Sequence, residues 1–255
     1  MKHTSWKYLV MAGAAIVLGA CKDNTSPSIV TDTQVANDVA ASAADAAANA
    51  ATDLGLNEAA AALPSAQPSF DVFAGSPSET VTYTRTRVCL NGSNAVVSCS
   101  PLTGVVKIIT TFTVDGSRTG VYFTGATHRS AVDTLTRVPG SSGDSLRVHS
   151  GTGTAHDTTT FTDSTVSATA TEAAVDSINA VTFRIPRSSN PYPISGSIVR
   201  NVAFNGTYTR GSTTITKSVT KRVEVDFNGT VTAVLKFDAK TCDLNLQTHA
   251  VANCH

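Results

Sequence analysis

The chain has 255 residues, of which 19 are basic and 19 acidic, so its formal charge at neutral pH is zero. Residues 79–255 hold sixteen Lys and Arg against twelve Asp and Glu, a small excess that is scattered singly along the chain. Nucleic acid binding requires a concentrated basic patch, so this charge distribution argues against a nucleic acid partner.

The first twenty residues have the pattern of a secretory signal. Lys2 and Lys7 make the start positive, and the apolar run over positions 8–20 carries no charge. A bilayer span needs ~20 residues, so this run is too short to cross a membrane and fits the apolar region of a signal peptide. The sequence therefore predicts export, with residues 1–20 as the signal peptide.

Leu18-Gly19-Ala20-Cys21 ends this run and resembles the lipobox of bacterial lipoproteins, with an aliphatic residue and two small residues before a cysteine. The resemblance covers residues 1–21 and implies cleavage before Cys21 and a diacylglycerol on its sulfur. Two or more acyl chains anchor a protein stably, so the membrane is the expected partner. Lys22 stands where many lipoproteins retained at the inner membrane have Asp, which favours the outer membrane of a Gram-negative bacterium. A cleaved soluble signal and an uncleaved anchor helix are the alternatives.

Residues 21–78 have the composition of a tether. Residues 22–34 are small and polar, and residues 35–63 are rich in alanine, which favours helix but offers little apolar surface for packing. Prolines at positions 64, 68 and 77 predict an extended connector. We expect an acidic linker that is partly helical or disordered, with helical oligomerisation as the alternative.

Residues 79–255 have the pattern of a β-domain. Threonine is the most frequent residue type in this region, and apolar and polar residues alternate, as in residues 80–90 and 104–114. A period of two with β-branched side chains predicts half-buried strands. We expect one all-β domain of ten to twelve strands, an antiparallel meander that forms either a sandwich or a curved or closed sheet.

Two local features refine this expectation. The alanines of residues 167–178 predict a short helix there. Turn-forming pairs separate the predicted strands, namely Asn91-Gly92, Asp115-Gly116, Pro139-Gly140, Asn205-Gly206 and Asn228-Gly229.

The Asn228-Gly229 pair predicts a hairpin over residues 221–240. A strict two-residue loop would set apolar residues against polar ones, whereas an odd loop pairs Phe227 with Val231 and Val225 with Ala233. We therefore expect a three-residue or bulged turn.

Four cysteines remain once Cys21 carries lipid, and an even number in an exported protein predicts two disulfides. Three connectivities are possible, and the local pairs Cys89–Cys99 and Cys242–Cys254 are favoured because each closes a short loop. A metal site that includes His249 or His255 is the alternative, although the chain has no C-x-x-C spacing.

A search for catalytic motifs finds none: the sequence lacks the G-x-S-x-G, H-E-x-x-H, P-loop and dinucleotide-binding patterns. Three clusters remain as candidates. A turn at residues 151–153 would bring together two histidines and nearby carboxylates as a metal site: His149, His156, Asp157 and Asp163. An arginine and tyrosine loop would bind a carboxylate, phosphate or sugar through Arg184, Arg187, Tyr192 and Arg200. A hydrolase would draw on Ser141, Ser142, Ser145, Asp144 and His149.

Polar strands and loops are the simpler explanation of all three clusters, and no catalytic residue or cofactor is predicted. The expectation is a non-enzymatic binding or structural β-domain anchored in the cell envelope, with an envelope protein, a glycan or a lipid as its further partner. In composition alone the mature chain resembles uncharacterised threonine-rich envelope lipoproteins. The alternatives are a carrier for an apolar, lipid-like ligand and a metal-dependent enzyme that uses His149 and His156.

Overall fold

The computed structural model describes residues 79–120, 122–141, 143–162, 164–248 and 250–255. The predicted signal peptide, Cys21 and the predicted linker lie outside these residues. Within them the regular structure consists of eleven strands and no helix. In chain order these are β1 (Glu79–Leu90), β2 (Val96–Val97), β3 (Lys107–Thr119), β4 (Phe123–Gly140), β5 (Gly143–Thr162), β6 (Val166–Arg184), β7 (Ser195–Arg210), β8 (Thr213–Asp226), β9 (Thr232–Phe237), β10 (Lys240–Asn245) and β11 (Val251–Ala252).

All eleven strands belong to one antiparallel sheet, in the order β11-β10-β9-β8-β7-β6-β5-β4-β3-β1-β2. From β3 onward each strand pairs with the next strand in the chain, and β3 pairs with β1 because β2 lies outside β1 at the edge. The structure thus confirms the predicted all-β antiparallel meander. Of the arrangements left open by the sequence, the described chain has a single sheet that is not closed on itself.

The two faces of the sheet differ chemically, because successive side chains of a strand point to opposite sides. In β6 the even positions 166, 168, 170 and 174 are buried, whereas the odd positions from 167 to 175 are exposed. We call the face with the buried side chains the inner face and the opposite one the outer face. Register carries the inner face across the sheet, from Ile108 opposite Leu135 to Val225 opposite Leu235. The outer face is mostly threonine, serine and other short polar side chains.

The apolar core is concentrated in the C-terminal half of the sheet. A cluster of fifteen buried residues draws on strands β5 to β10, and its largest members include Phe183, Ile198 and Leu235, each no more than 1% exposed. A second cluster of four buried residues includes Cys89 and Leu135. Full burial of one such large side chain contributes about 1.5–3 kcal/mol, so β6 to β10 provide most of the hydrophobic stabilisation.

Each edge of the sheet is a two-residue strand fastened by a disulfide. Cys89 in β1 is bonded to Cys99, just after the edge strand β2, and Cys242 in β10 is bonded to Cys254, just after the edge strand β11. The two predicted local pairs are therefore confirmed. With all four of these sulfurs in disulfides, the described residues offer no thiolate for the alternative metal site, and His249 lies outside them.

The helix predicted over residues 167–178 is wrong, since these residues form the middle of β6. Both neighbouring strands pair with this segment over its whole length, Ala168 facing Phe161 on one side and Tyr208 on the other. Ala168 therefore fits between two larger residues on the inner face. Pairing on both sides therefore overrides the helical preference of alanine.

The predicted register of the β8–β9 hairpin is also wrong, although the assignment of faces is correct. Val225 pairs with Leu235 instead of Ala233, so the connection between the two strands is longer than the predicted turn. The backbone N–H of Phe227 donates to Gly196 O and that of Gly229 to Pro193 O, at 3.0 and 2.8 Å. These bonds hold the loop against the start of β7 and the residues just before it, and so prevent a tight turn.

Two of the predicted turns lie inside strands. Asp115-Gly116 falls within β3 and Asn205-Gly206 within β7, each paired on both sides. Pro139-Gly140 does end β4, with the connection to β5 following at once. Turn propensity is a local signal, and long strands with partners on both sides extend through it.

Candidate functional site

A group of ionised side chains lies on the inner face, across strands β4 to β7. Its centre is Arg200, whose side chain is only 3% exposed and directly faces Asp176 across the β6–β7 pair. The Nη1 of Arg200 donates to both carboxylate oxygens of Asp176, at 3.1 and 2.8 Å, and Nη2 lies 3.5 Å from Glu172 Oε1. A buried guanidinium is thus matched by two carboxylates on the neighbouring strand.

The same group continues onto β5 and β4. Asp157 lies opposite Glu172 across the β5–β6 pair, accepts a hydrogen bond from the Thr127 hydroxyl and is paired with Arg129 Nη2 at 3.3 Å. We call Arg129, Asp157, Glu172, Asp176 and Arg200 the ionic cluster. It has two positive and three negative groups when fully ionised, a net charge of −1.

Burial changes the protonation of two members of the ionic cluster. Loss of water raises the pKa of Glu172, against the opposing effect of Arg200 and with a further contribution from Asp157. Loss of water likewise raises the pKa of Asp176, while Arg200 and Arg129 lower it. Burial of these two carboxyls therefore outweighs the attraction of the neighbouring guanidinium groups and favours uptake of a proton.

A second polar pair lies nearer the other end of the long strands. His149 in β5 is 1% exposed, and its Nδ1 lies 2.8 Å from Asp133 Oδ2 in β4. The imidazole also contacts the Phe183 ring edge-on, with 5.7 Å between ring centroids. The pair is enclosed by the packed inner face, which suits a satisfied core histidine.

The predicted metal site does not form. β5 is continuous from Gly143 to Thr162 and has no turn at residues 151–153, so His149 lies on the inner face and His156 on the outer face. Asp157 belongs to the ionic cluster, and Asp163 lies outside the described residues. In the described part of the chain, no three or more His, Cys, Asp or Glu side chains are grouped so as to hold a metal ion.

The predicted arginine and tyrosine loop is likewise not assembled. Arg187 donates to Pro191 O at 2.8 Å and stacks over Phe183, with 3.9 Å from its guanidinium carbon to the ring centroid. Arg200 lies mid-strand in the ionic cluster, and Arg184 is exposed at the end of β6. Tyr192 is half-buried in the same loop as Arg187. The loop arginine is occupied locally, and the three guanidinium groups do not converge.

The predicted serine-based hydrolase site is not assembled either. The Ser145 hydroxyl donates to the carbonyl of Pro139 at 3.1 Å, and not to a histidine. Burial alone would raise the pKa of Asp144, but hydrogen bonds from Arg137 and Arg147 outweigh it and lower that pKa. Ser141 is exposed, and Ser142 lies outside the described residues.

Sequence reasoning missed most of the ionic cluster. Glu172 and Asp176 occupy even positions of β6, in register with the alanines of the inner face, and this alternation was the available signal. The helix prediction conceals this alternation. In a helix of 3.6 residues per turn, these carboxylates would lie on a different face from Ala170 and Ala174. Their partner Arg200 is 24 residues from Asp176 in the chain, a distance over which pairing cannot be read from local pattern.

The inner face therefore combines an apolar region with a compensated group of charges. The members of the ionic cluster bond to each other, Ser145 bonds to backbone carbonyls, and the described cysteines are in disulfides. None of these groups is presented as an activated nucleophile would be. A face crossed by ionised groups is also a poor lining for a purely apolar ligand.

Comparisons with protein-family models, with curated proteins and with solved structures find no match for this chain. A search of the described residues for helices of sufficient length and hydropathy to span a bilayer finds none.

Proposed function

We propose that the protein is a cell-envelope lipoprotein, anchored through Cys21 in the outer membrane, with a non-enzymatic β-domain that serves as a binding or structural module. The observation that carries this proposal is the Leu18-Gly19-Ala20-Cys21 motif, which directly follows a positive start and a short charge-free run. Charge, length and motif each fit a lipoprotein signal.

The disulfides support the export part of the proposal. Disulfides persist in oxidising compartments such as the periplasm and are rare in the cytosol. Both pairs fasten the sheet at its edges, which is a structural use of cysteine and not a catalytic one. The remaining cysteine, Cys21, is the one that the lipobox assigns to lipid.

The anchor is tested by Cys21→Ser in the full-length gene. We expect the wild-type protein in the membrane fraction, released by detergent and labelled by a radioactive fatty acid fed to the cells. The variant should carry no label and should leave the outer-membrane fraction. A matched control is Cys99→Ser, which also removes one sulfur but leaves the lipobox intact and should keep the label. Unchanged labelling and fractionation of Cys21→Ser would refute the lipoprotein proposal.

A further inference from the structure

One polar group on the outer face combines His156, left without its predicted partners, with two residues that the sequence did not single out. Asp115 in β3, His128 in β4 and His156 in β5 lie in one row across three adjacent strands, since His128 is the register partner of both Asp115 and His156. The side chains of His128 and Asp115 are 56% and 58% exposed, and His156 is exposed as well. The three residues are well separated in the chain, so the row becomes evident only from the strand register.

The hydrogen bonding of His128 is the arrangement found behind metal-binding histidines. Its Nδ1 lies 2.6 Å from Asp115 Oδ1, so a neutral ring that donates from Nδ1 has its Nε2 lone pair free for a ligand. A carboxylate that receives the other ring N–H fixes the tautomer of a metal-bound histidine and increases its basicity. Asp115 is placed to do this from β3, on the side of β4 away from His156.

His156 is placed to supply a second nitrogen. Directly opposite residues of antiparallel strands have Cβ atoms ~4.5–5.5 Å apart, and two imidazoles on such positions can bind one ion at Zn–N distances of ~2.0–2.1 Å. No hydrogen bond or ion pair to His156 occurs among the described residues, so its ring is free to turn toward His128. The flanking outer-face residues are short, namely Ala126, Ser130, Thr154, Thr158 and Ala173.

We propose that His128 and His156 form a binding site for a divalent first-row metal of the class that prefers imidazole, Zn²⁺, Ni²⁺ or Cu²⁺, with Asp115 as the positioning residue behind His128. Two protein ligands leave the remaining coordination positions to water or to a ligand from outside the chain. The site is therefore open, and it agrees with the absence of a three-residue metal group in the described part of the chain.

The test is calorimetric titration of the full-length protein, solubilised in detergent, with Zn²⁺. We expect one equivalent bound by the wild type, at least tenfold weaker binding by His128→Gln and by His156→Gln, and about 10–100-fold weaker binding by Asp115→Asn. His255→Gln, which changes an exposed histidine far along the chain, is the matched control and should bind as the wild type does. Each variant replaces an exposed side chain, and unchanged thermal unfolding without metal verifies that the sheet is intact.

A rise in the unfolding temperature with Zn²⁺ in the wild type but not in His156→Gln would support the site through linkage. No zinc uptake by the wild type at millimolar concentration, or equal affinity of the wild type and His156→Gln, would overturn it. These outcomes are independent of the lipid anchor, because none of the three residues lies near Cys21 in the sequence.

Discussion

Arg200 is the buried centre of the ionic cluster. Its guanidinium is buried on the inner face and neutralises two carboxylates that are themselves largely removed from water. A buried ion pair is weak evidence for stability by itself, but removal of one partner leaves an uncompensated charge. Arg200 is therefore needed for stability, because it compensates the buried charges of Asp176 and Glu172.

Arg200→Leu should lower the free energy of unfolding by about 3–5 kcal/mol, since it leaves both carboxylates buried without a counter-ion. Urea unfolding followed by circular dichroism measures this. Addition of Asp176→Asn to Arg200→Leu should recover part of the loss. Arg210→Leu, at the exposed end of the same strand, is the control. Equal urea midpoints for Arg200→Leu and Arg210→Leu would contradict the role of Arg200.

Glu172 gives the domain a pH dependence of defined sign. Its pKa is raised above the ordinary value of 4.5, so the folded protein binds this proton more tightly than the unfolded chain does. The contribution of Glu172 to stability is therefore greatest at acidic pH and is lost as pH rises through the folded-state pKa. Asp144 acts in the opposite sense, because its pKa is lowered and its contribution is lost on acidification.

Glu172→Gln should remove the part of the pH dependence that comes from Glu172 and leave that of Asp176 and Asp144. Its stability relative to the wild type should be highest near neutral pH and should decline as pH falls toward 4.5, where wild-type Glu172 is protonated and resembles glutamine. Unfolding by urea at a series of pH values measures the difference. Glu224→Gln, on the outer face, controls for loss of a carboxyl as such. A difference that grows on acidification would contradict the assignment.

At the level of the elements, β5 and β6 keep their inner faces aligned through a bulge. His149 pairs with Val181 and Gly151 with Ile178, so Ser150 alone stands opposite Asn179 and Ala180. Ala180 has a φ of 49°, which accommodates the extra residue. Without this extra residue, the register would turn Val181 and Phe183 to the outer face.

Gly151, at the bulge, lies where no side chain fits. A Cβ there would meet the carbonyl oxygen of Val132 at 2.2 Å, whereas a Cβ at Gly153 would meet its nearest atom, in Ala131, at 3.4 Å. Gly151→Ala should destabilise the domain by about 1–3 kcal/mol through this overlap. Gly153→Ala, two residues along the same strand, is the matched control. Thermal unfolding of the two variants measures the difference in their stability. Equal melting temperatures of the two variants would contradict the prediction, since they would mean that β4 shifts enough to accommodate a Cβ at position 151.

What the sequence could predict at this level follows from the range of each interaction. Alternation in β3 and β6 reports which face is buried, because that signal lies within one strand. The helix at residues 167–178 was mispredicted because alanine propensity is local while pairing with β5 and β7 is not. The predicted β8–β9 register is wrong for the same reason, since the backbone carbonyls of Gly196 and Pro193, which lie outside the hairpin, bind its loop. The ionic cluster combines four strands, so its composition required the sheet order.

For the whole molecule, the disulfides protect the two edges of the sheet. An edge strand presents unpaired backbone groups that can join another chain, and proteins limit this by short or covered edges. Here β2 and β11 are two residues long, and each is fastened beside the longer strand that it covers, β1 or β10.

Removal of both disulfides by Cys99→Ser and Cys254→Ser should therefore cause self-association as well as instability. Closed loops with sequence separations of 10 and 12 residues correspond to about 2–3 kcal/mol each in the chain-entropy model. Light scattering should show growing assemblies under conditions where the wild type stays monodisperse. The single variants control for the loss of one edge each. A double variant that is less stable but fully monodisperse would contradict the edge-protection role.

The uneven placement of the core along the chain has a consequence for how the domain is made. A polypeptide is synthesised from its N-terminal end, and the strands that appear first, β1 to β4, contribute only the small apolar cluster. The residues that condense the domain, from Ala155 to Leu244, follow later. The nascent chain thus lacks a sufficient hydrophobic nucleus until nearly its last strand is complete. If the protein is exported as proposed above, this order would leave most of the core unformed until synthesis is nearly complete, which suits passage through a narrow channel as an unfolded chain.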